Sequence, residues 1–391
     1  QINECLPRVV KSVLVFFLLF SCTFLSAQKM RIGLYSANSV KEFQLAIGSG
    51  QYLLNATLSD GSNQSVLLNT LAQARFKING AVIQFYQAGT YRFQASQFEL
   101  IQMAHEDFCN WSVPALSTKT RAYEGDFELR IYKGNLQLIN VLFLETYLEG
   151  VVACEGGPGH QKAYYQAQAI ISRTYALSNL QRHQKEGFQL CERVHCQSYL
   201  HKRTGSALID SSVYQTRSIV LLGPNGDYFP TYFHANCGGQ TCEPQDVWNE
   251  QITGLQSFKD TFCIHTKQAT WVKRIPLQTW IDFLITQYDF PLTDSLSYAL
   301  LQEFRQPERS AFYLHPVYGI PLRDLREEFK LKSSFFDAVV VGEELVLSGK
   351  GFGHGVGLCQ EGAMQMAKKG YSYDQILRYY YPGARLVLPK E

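Results

Sequence analysis

The chain has almost no net charge to spend on a partner: its 391 residues carry a formal charge of +2 and no long basic run, which argues against nucleic acid. It also lacks an apolar run long enough to cross a bilayer comfortably, since the longest stretch covers residues 13–20 with further apolar residues as far as Leu25. Internal repeats and low-complexity tracts are missing too, which excludes a solenoid or an array. No phosphate loop is present either: residues 349–357 are dense in glycine, but no Lys-Ser/Thr follows and the spacing is wrong. What the chain does have is apolar content, 46% of its residues, enough for a packed core and for two domains or one with a large insertion. Its many Tyr, Phe and Trp residues fit carbohydrate contact and an ordinary core equally well.

The N-terminus reads as an export signal. Arg8 and Lys11 precede the apolar run, and Ser26-Ala27-Gln28 offers a small residue before a cut, so residues 1–27 are expected to be a signal peptide. Leu19-Phe20-Ser21-Cys22 is a competing lipoprotein site, disfavoured by the bulk of Phe20. Either way the mature protein is expected in the periplasm or cell envelope. Cys5 and Cys22 leave with the signal, and Cys109, Cys154, Cys191, Cys196, Cys237, Cys242, Cys263 and Cys359 remain. An even set in an oxidising compartment permits disulfides of undetermined connectivity.

The expected fold class is α+β. From Met30 to about Leu144 the pattern is β-like, with short alternating apolar runs such as MRIGL, AVIQF and FELRIY separated by Ser-Asp-Gly, Asn-Gly and Lys-Gly-Asn turns, and residues 28–120 are expected to be a β-rich N-terminal part. Lys133-Gly134-Asn135 is short enough for a hairpin, and residues 136–141 read as one more strand. From His160 to Gly187 the apolar period becomes helical, which predicts one long half-buried helix. Residues 206–232 look β-rich, and 266–336 read as a small inserted lobe. Ser372 followed by Gln375 resembles a capping box, opening a short helix through Tyr380 that Pro382-Gly383 ends.

Four constellations carry chemistry. Glu155 lies in a Gly-rich turn just before the helical run, where partial burial can raise a carboxyl group into the range of a proton donor. Gly156, Gly157 and Gly159 would leave room beside it for a bulky substrate. The plainer alternative is a carboxylate at a helix N-terminus, answering the dipole. His183, Cys191, His195 and Cys196 are a reasonable tetrahedral zinc set, closed and therefore structural; the alternative is a Cys191–Cys196 disulfide with unrelated histidines. His234 precedes a Gly-Gly turn, a place that can present polar groups to a ligand, although a lone histidine there is usually surface. His354 and Gln360 sit in the final glycine-dense loop, where glycines at every second position from Gly349 to Gly357 let the backbone approach a ligand. Against that stands a tight β-bulge region without ligand.

Six segments in order, YLEGVVACEGG, QAQAIISRTYAL, HCQSY, FHANCGGQT, GKGFGHGVGLCQEGAM and ILRYYYPGARL, resemble the stage II sporulation protein D (SpoIID/LytB) family, over residues 121 to 386. The resemblance implies a catalytic domain over 121–391 and a lytic transglycosylase of bacterial peptidoglycan. It also implies a preference for glycan freed of its stem peptides. It places the family's catalytic glutamate on Glu155, its helix arginine on Arg173, and a zinc on His183, Cys191, His195 and Cys196. Arg173, placed with Glu155 in the catalytic site, and His234, His354 and Gln360 are then candidates to orient glycan or the acid. Cys154, Gly156-Gly157 and Cys359 depart from the family pattern, and Cys154 with Cys359 could form a disulfide across the site or supply a reactive thiol. One rival reading is a non-catalytic peptidoglycan-binding module that assists an amidase. Another is a zinc-dependent amidase or peptidase, which a closed metal set disfavours.

Overall fold

Short strands joined by tight turns build the first half of the chain, as the alternating pattern predicts. The computed structural model describes residues 28–117, 119–202, 206–292, 295–314 and 319–387. The expected signal peptide, with Cys5 and Cys22, lies outside the described residues. Twelve strands precede the first described helix: β1 (Lys29–Leu34), β2 (Glu42–Ser49), β3 (Gln51–Thr57), β4 (Asn63–Asn69), β5 (Gln73–Asn79) and β6 (Val82–Gln87), then β7 (Thr90–Ala95), β8 (Gln97–Gln102), β9 (Phe108–Ser112), β10 (Arg121–Glu124), β11 (Asp126–Tyr132) and β12 (Asn135–Phe143). With β13 (Leu190–Cys191) they make two sheets, ordered β13-β1-β12-β11-β8-β3-β4 and β10-β9-β2-β5-β6-β7. Every second residue of β3 is buried, the signature of a sheet with one face on a core. Phe76 of one sheet meets Phe98 of the other at 5.2 Å, and Trp111 meets Phe127 at 5.4 Å, so aromatic rings fill the sandwich. Both sheets run past residue 120 and take in β10 to β12.

The β11–β12 hairpin has the two-residue loop Lys133-Gly134, with both residues at positive φ (46° and 72°). Strand β12 leads straight into helix α1 (Leu144–Gly156), and α2 (Lys162–Ser178) follows. The helix expected from His160 to Gly187 therefore stops nine residues early. Ser178 Oγ and Asn179 Nδ2 both donate to the Tyr175 carbonyl, at 3.0 and 2.9 Å, and this local competition ends the ladder. A single 3₁₀ turn, Gln184–Glu186, closes on Gly187 at φ 80°. Residues 206–232 also differ from expectation: Ser206 caps helix α3 (Ala207–Gln215), accepting from the Ile209 N–H, and only Val220–Leu222 and Phe233–His234 are extended nearby.

The described chain divides into two compact units. One holds the residues up to Gly159 together with Gln168–Val220, the other His160–Ala167 and Leu221–Leu386. In the second unit, strands Thr270–Pro276, Glu344–Lys350, Phe336–Val341 and Glu303–Phe304 lie side by side in that order. Helices Leu277–Tyr288 and Leu322–Glu328 contribute to its core, where Trp280 stacks on Phe329 at 4.5 Å. Leu345 and Leu347 belong to the same core, so it draws on residues beyond the expected lobe end at 336. Ser372 and Gln375 form the expected capping box of helix Tyr373–Tyr380. Among the described residues no helix is long and apolar enough to cross a membrane.

Candidate functional site

Glu155 lies not in a turn at the start of α2 but in the last turn of α1, two residues before Gly157 at φ 64°. The N-terminal dipole alternative is thereby excluded, because the nearby helix end is the negative one, which opposes ionisation. Burial raises the carboxyl above its ordinary value, and the Ser198 N–H, donating to Oε1 at 2.6 Å, partly restrains that rise. A Cβ placed on Gly157 or Gly159 would meet nothing within 4 Å, so the flank beside the acid is open there.

The segment that supplies Ser198 is fixed from several sides. Gln197 donates through Nε2 to the Ser172 carbonyl of α2 at 3.0 Å. Tyr199 is buried against Tyr147 of α1, rings 5.0 Å apart, and its hydroxyl donates to Asn140 Oδ1 at 3.0 Å. His195 and Cys196, just upstream, join His183 and Cys191 in a group whose donor atoms all lie within 4.8 Å of one another. His183 Nε2 is 3.5 Å from Cys196 Sγ, and His195 Nδ1 is 3.7 Å from both sulfurs. His183 Nδ1 faces Glu186 Oε1 at 2.6 Å, the carboxylate–histidine arrangement that leaves the Nε2 lone pair for a cation. The hydrogen bond from the Cys196 thiol pulls Cys191 below the ordinary thiol range. Two imidazoles and two thiols at tetrahedral spacing, with an oriented histidine, fit zinc. No disulfide joins Cys191 to Cys196, and the described cysteines are all free thiols.

Arg173 is held on every side by protein groups. Its side chain is fully buried, and Nε and Nη2 donate to Glu145 Oε1 and Oε2 at 2.9 and 2.6 Å. Nη1 reaches the Ile219 carbonyl at 3.2 Å and Nη2 the Val213 carbonyl at 3.4 Å. These bonds tie α2 to α1 and to the end of α3, which makes Arg173 a positioning residue. Cys154 accepts from the Leu200 N–H at 3.4 Å and lies 3.6 Å from His201 Nε2; burial pushes its thiol up, away from reactivity.

His234, His354 and Gln360 belong to the second unit. Strands Phe233–His234 and Leu358–Cys359 pair in parallel, with His234 opposite Cys359. His354 donates from Nε2 to the Phe233 carbonyl at 3.0 Å and accepts the Val356 N–H on Nδ1 at 3.1 Å. Both ring nitrogens are thus committed to backbone, and burial pulls its pKa down to about 4. His234 is 4% exposed and donates from Nδ1 to the Val356 carbonyl, while Nε2 has no hydrogen-bond partner among the described residues. The two rings lie 5.5 Å apart, and both are neutral at pH 7. Gln360 opens helix Gln360–Lys368 and is buried. The alternating glycines serve the protein rather than a ligand: a Cβ on Gly357 (φ 73°) would sit 2.1 Å from the Tyr232 carbonyl oxygen, and one on Gly351 (φ 77°) 2.5 Å from that of Asn236.

Comparison with known proteins fits these motifs. The sequence model of the Stage II sporulation protein family, SpoIID, matches residues 132–222, which hold Glu155, Arg173 and all four candidate metal ligands. The Stage II sporulation protein D of Bacillus subtilis is 27% identical over 276 residues, covering 66% of this chain and 78% of that protein. Over residues 132–222 the chain is similar to the SpoIID family. An uncharacterized protein of Brachyspira hyodysenteriae is 26% identical over 269 residues, covering 68% of this chain and 72% of that protein. A protein of Bacillus subtilis named amidase enhancer is 23% identical over 289 residues, and the match covers 40% of its length. His234, His354 and Gln360 lie beyond the SpoIID match. The match to the SpoIID model is consistent with a cell-wall-related function.

Ser198, Gln197, Tyr199 and Glu145 carry no role in the sequence reading. HCQSY reads as a run of polar and aromatic residues, and only the fold shows that its five side chains or amides face a metal group, a helix, the acid and the core in turn.

Proposed function

We propose that this chain is a peptidoglycan lytic transglycosylase in which Glu155 acts as both acid and base. The observation that carries the reading is the half-buried carboxyl of Glu155, raised by burial and aimed by the Ser198 N–H. Protonated, Glu155 would donate to the glycosidic oxygen between N-acetylmuramic acid and N-acetylglucosamine. As a carboxylate it would then take the proton of the sugar's C6 hydroxyl as that oxygen attacks C1, giving a 1,6-anhydro end. Hydrolases that retain or invert use two carboxyl groups, whereas this intramolecular route needs one. Zinc held by His183, Cys191, His195 and Cys196 would act structurally, since four protein ligands close the shell. Its task would be to fix the segment that delivers Ser198. His234, His354 and Gln360 would shape the glycan-facing part of the second unit. Residues 8–27 support export to the periplasm or cell envelope, where the substrate lies.

Peptidoglycan treated with an amidase, and untreated, is incubated with the wild type and with Glu155→Gln, and the fragments are weighed by mass spectrometry. Anhydro-muramyl ends made only by the wild type support the reading. If neither protein makes them, a non-catalytic glycan-binding role beside an amidase takes its place, in line with the relative named amidase enhancer.

A further inference from the structure

A second group of metal-type donors lies in the second unit, and none of the chemistry above uses it. Cys237, Asp260, Cys263 and Cys359 are all buried, and their donor atoms lie within 4.8 Å of one another. They come from three separate places: the turn after strand Phe233–His234, the loop at 260–263, and the end of strand Leu358–Cys359. Cys237 Sγ is 3.3 Å from Cys263 Sγ and 3.4 Å from Asp260 Oδ2. A tetrahedral zinc with Zn–S bonds of about 2.3 Å spaces its sulfurs about 3.7 Å apart, so little movement separates these positions from a coordination shell.

The surroundings are those of anionic ligands. Cys359 Sγ accepts the N–H groups of Cys237 and Gly362, both at 3.3 Å, and sits at the positive end of the nine-residue helix Gln360–Lys368. Asp260 accepts the Phe262 N–H on Oδ1 at 2.9 Å and the Tyr380 hydroxyl on Oδ2 at 2.8 Å. These donors orient the ligands as an outer shell does. Asp260 is 0% exposed, yet among the described residues no Lys, Arg or His forms an ion pair with it. A buried carboxylate beside three thiols and without a cation is costly, and buried charges of this kind pair or coordinate metal. A disulfide between Cys237 and Cys263 would consume two donors and leave Asp260 and the Cys359 thiol buried without the cation they lack.

We propose that Cys237, Asp260, Cys263 and Cys359 bind a structural zinc ion, separate from the His183 group. Binding displaces the thiol protons to solvent and joins the two paired strands to the 260–263 loop, thereby fixing the stretch that carries His234 and His354. The set is closed, three sulfurs and one oxygen, so the ion orders the unit and performs no chemistry.

The test measures zinc per chain by elemental mass spectrometry in the full-length protein and its variants, with near-ultraviolet circular dichroism to confirm folding. Cys191→Ser combined with Cys196→Ser should retain one zinc per chain, and adding Cys263→Ser should remove it. A folded Cys191→Ser/Cys196→Ser protein without zinc overturns the proposal. So does a Cys237–Cys263 linked peptide found by mapping without reductant. Because Cys263→Ser could fail to fold, the wild type loaded with cadmium-113 gives a second readout. A resonance from a three-sulfur site beside that of a two-sulfur, two-nitrogen site is expected, and its absence overturns the proposal.

Discussion

Replacing Arg173 with Met separates a catalytic arginine from a positioning one. The guanidinium is fully buried, makes a two-pronged pair with Glu145, and satisfies the Val213 and Ile219 carbonyls. Removing one member of a buried pair costs about 3–5 kcal/mol, because the partner charge is left behind. Glu145 keeps 21% of its side chain exposed, so water relieves part of its isolation and the lower end applies. The two carbonyls add to the loss, at about 1 kcal/mol or more each where water cannot reach them. A loss of about 5 kcal/mol corresponds to roughly 10–20 °C in melting temperature for a unit of this size. Glu145→Gln should cost more than the loss of Glu145's own contacts, since it strands a fully buried cation. Arg173→Met with Glu145→Leu should recover most of the stability, as apolar replacement of both partners often does. Urea denaturation of the two single variants and the double variant gives the coupling energy, and anhydro-end release is measured well below each melting temperature. The reasoning requires the double variant to keep substantial activity. A double variant that folds like the wild type yet releases nothing would show that Arg173 acts on the substrate, and would refute the positioning role.

As the proposed acid Glu155 would work while protonated, so turnover should fall as pH rises through its raised pKa; Glu155→Gln should be inactive yet no less stable than the wild type above that pH, where the wild type carries a buried charge. Cys196→Ser, or removal of the metal by a chelator, should loosen the Ser198 N–H; since that bond lowers the Glu155 pKa, the alkaline limb of the pH–rate profile should move upward as the rate falls. His354 is held neutral, with its pKa pulled down to about 4, so its contribution to stability is complete above about pH 6.5 and is lost as pH falls toward 4. Acid denaturation followed by tryptophan fluorescence should show that loss, and His354→Gln should flatten it. Gly357→Ala should destabilise by more than about 2 kcal/mol in a denaturant titration, because positive φ and the Tyr232 carbonyl both exclude a Cβ.

Strand alternation and turn chemistry make the β-rich N-terminal part legible, because a sheet with one face on the core writes its burial into every second residue, whereas the pairing of the strands into two packed sheets is not written there. The capping box at Ser372 was equally plain, being a local interaction between residues three apart. The helix ending at Ser178 was not, since leucine and isoleucine spacing continues past the point where Ser178 and Asn179 turn back on Tyr175. Glu155 was found as the candidate acid, but its place at the end of α1 was missed. The glycines after it suggested a turn, while residues 144–154 mix apolar and acidic residues too evenly to advertise a helix. The donor set at His183, Cys191, His195 and Cys196 could be read from crowding of soft ligands alone. The second set could not, because Cys237, Cys263 and Cys359 are 26 and 96 residues apart and only the fold joins them. Ser198 was invisible for another reason: its backbone amide, not its side chain, holds the acid.

The central claim is that one carboxyl group directs an intramolecular attack, and the reaction run in ¹⁸O-labelled water tests it most directly. Glycan fragments released by the wild type should be one water lighter than hydrolysis products, carry no label at the muramyl end, and be absent with Glu155→Gln. Labelled reducing ends, or release that survives Glu155→Gln, would contradict the account.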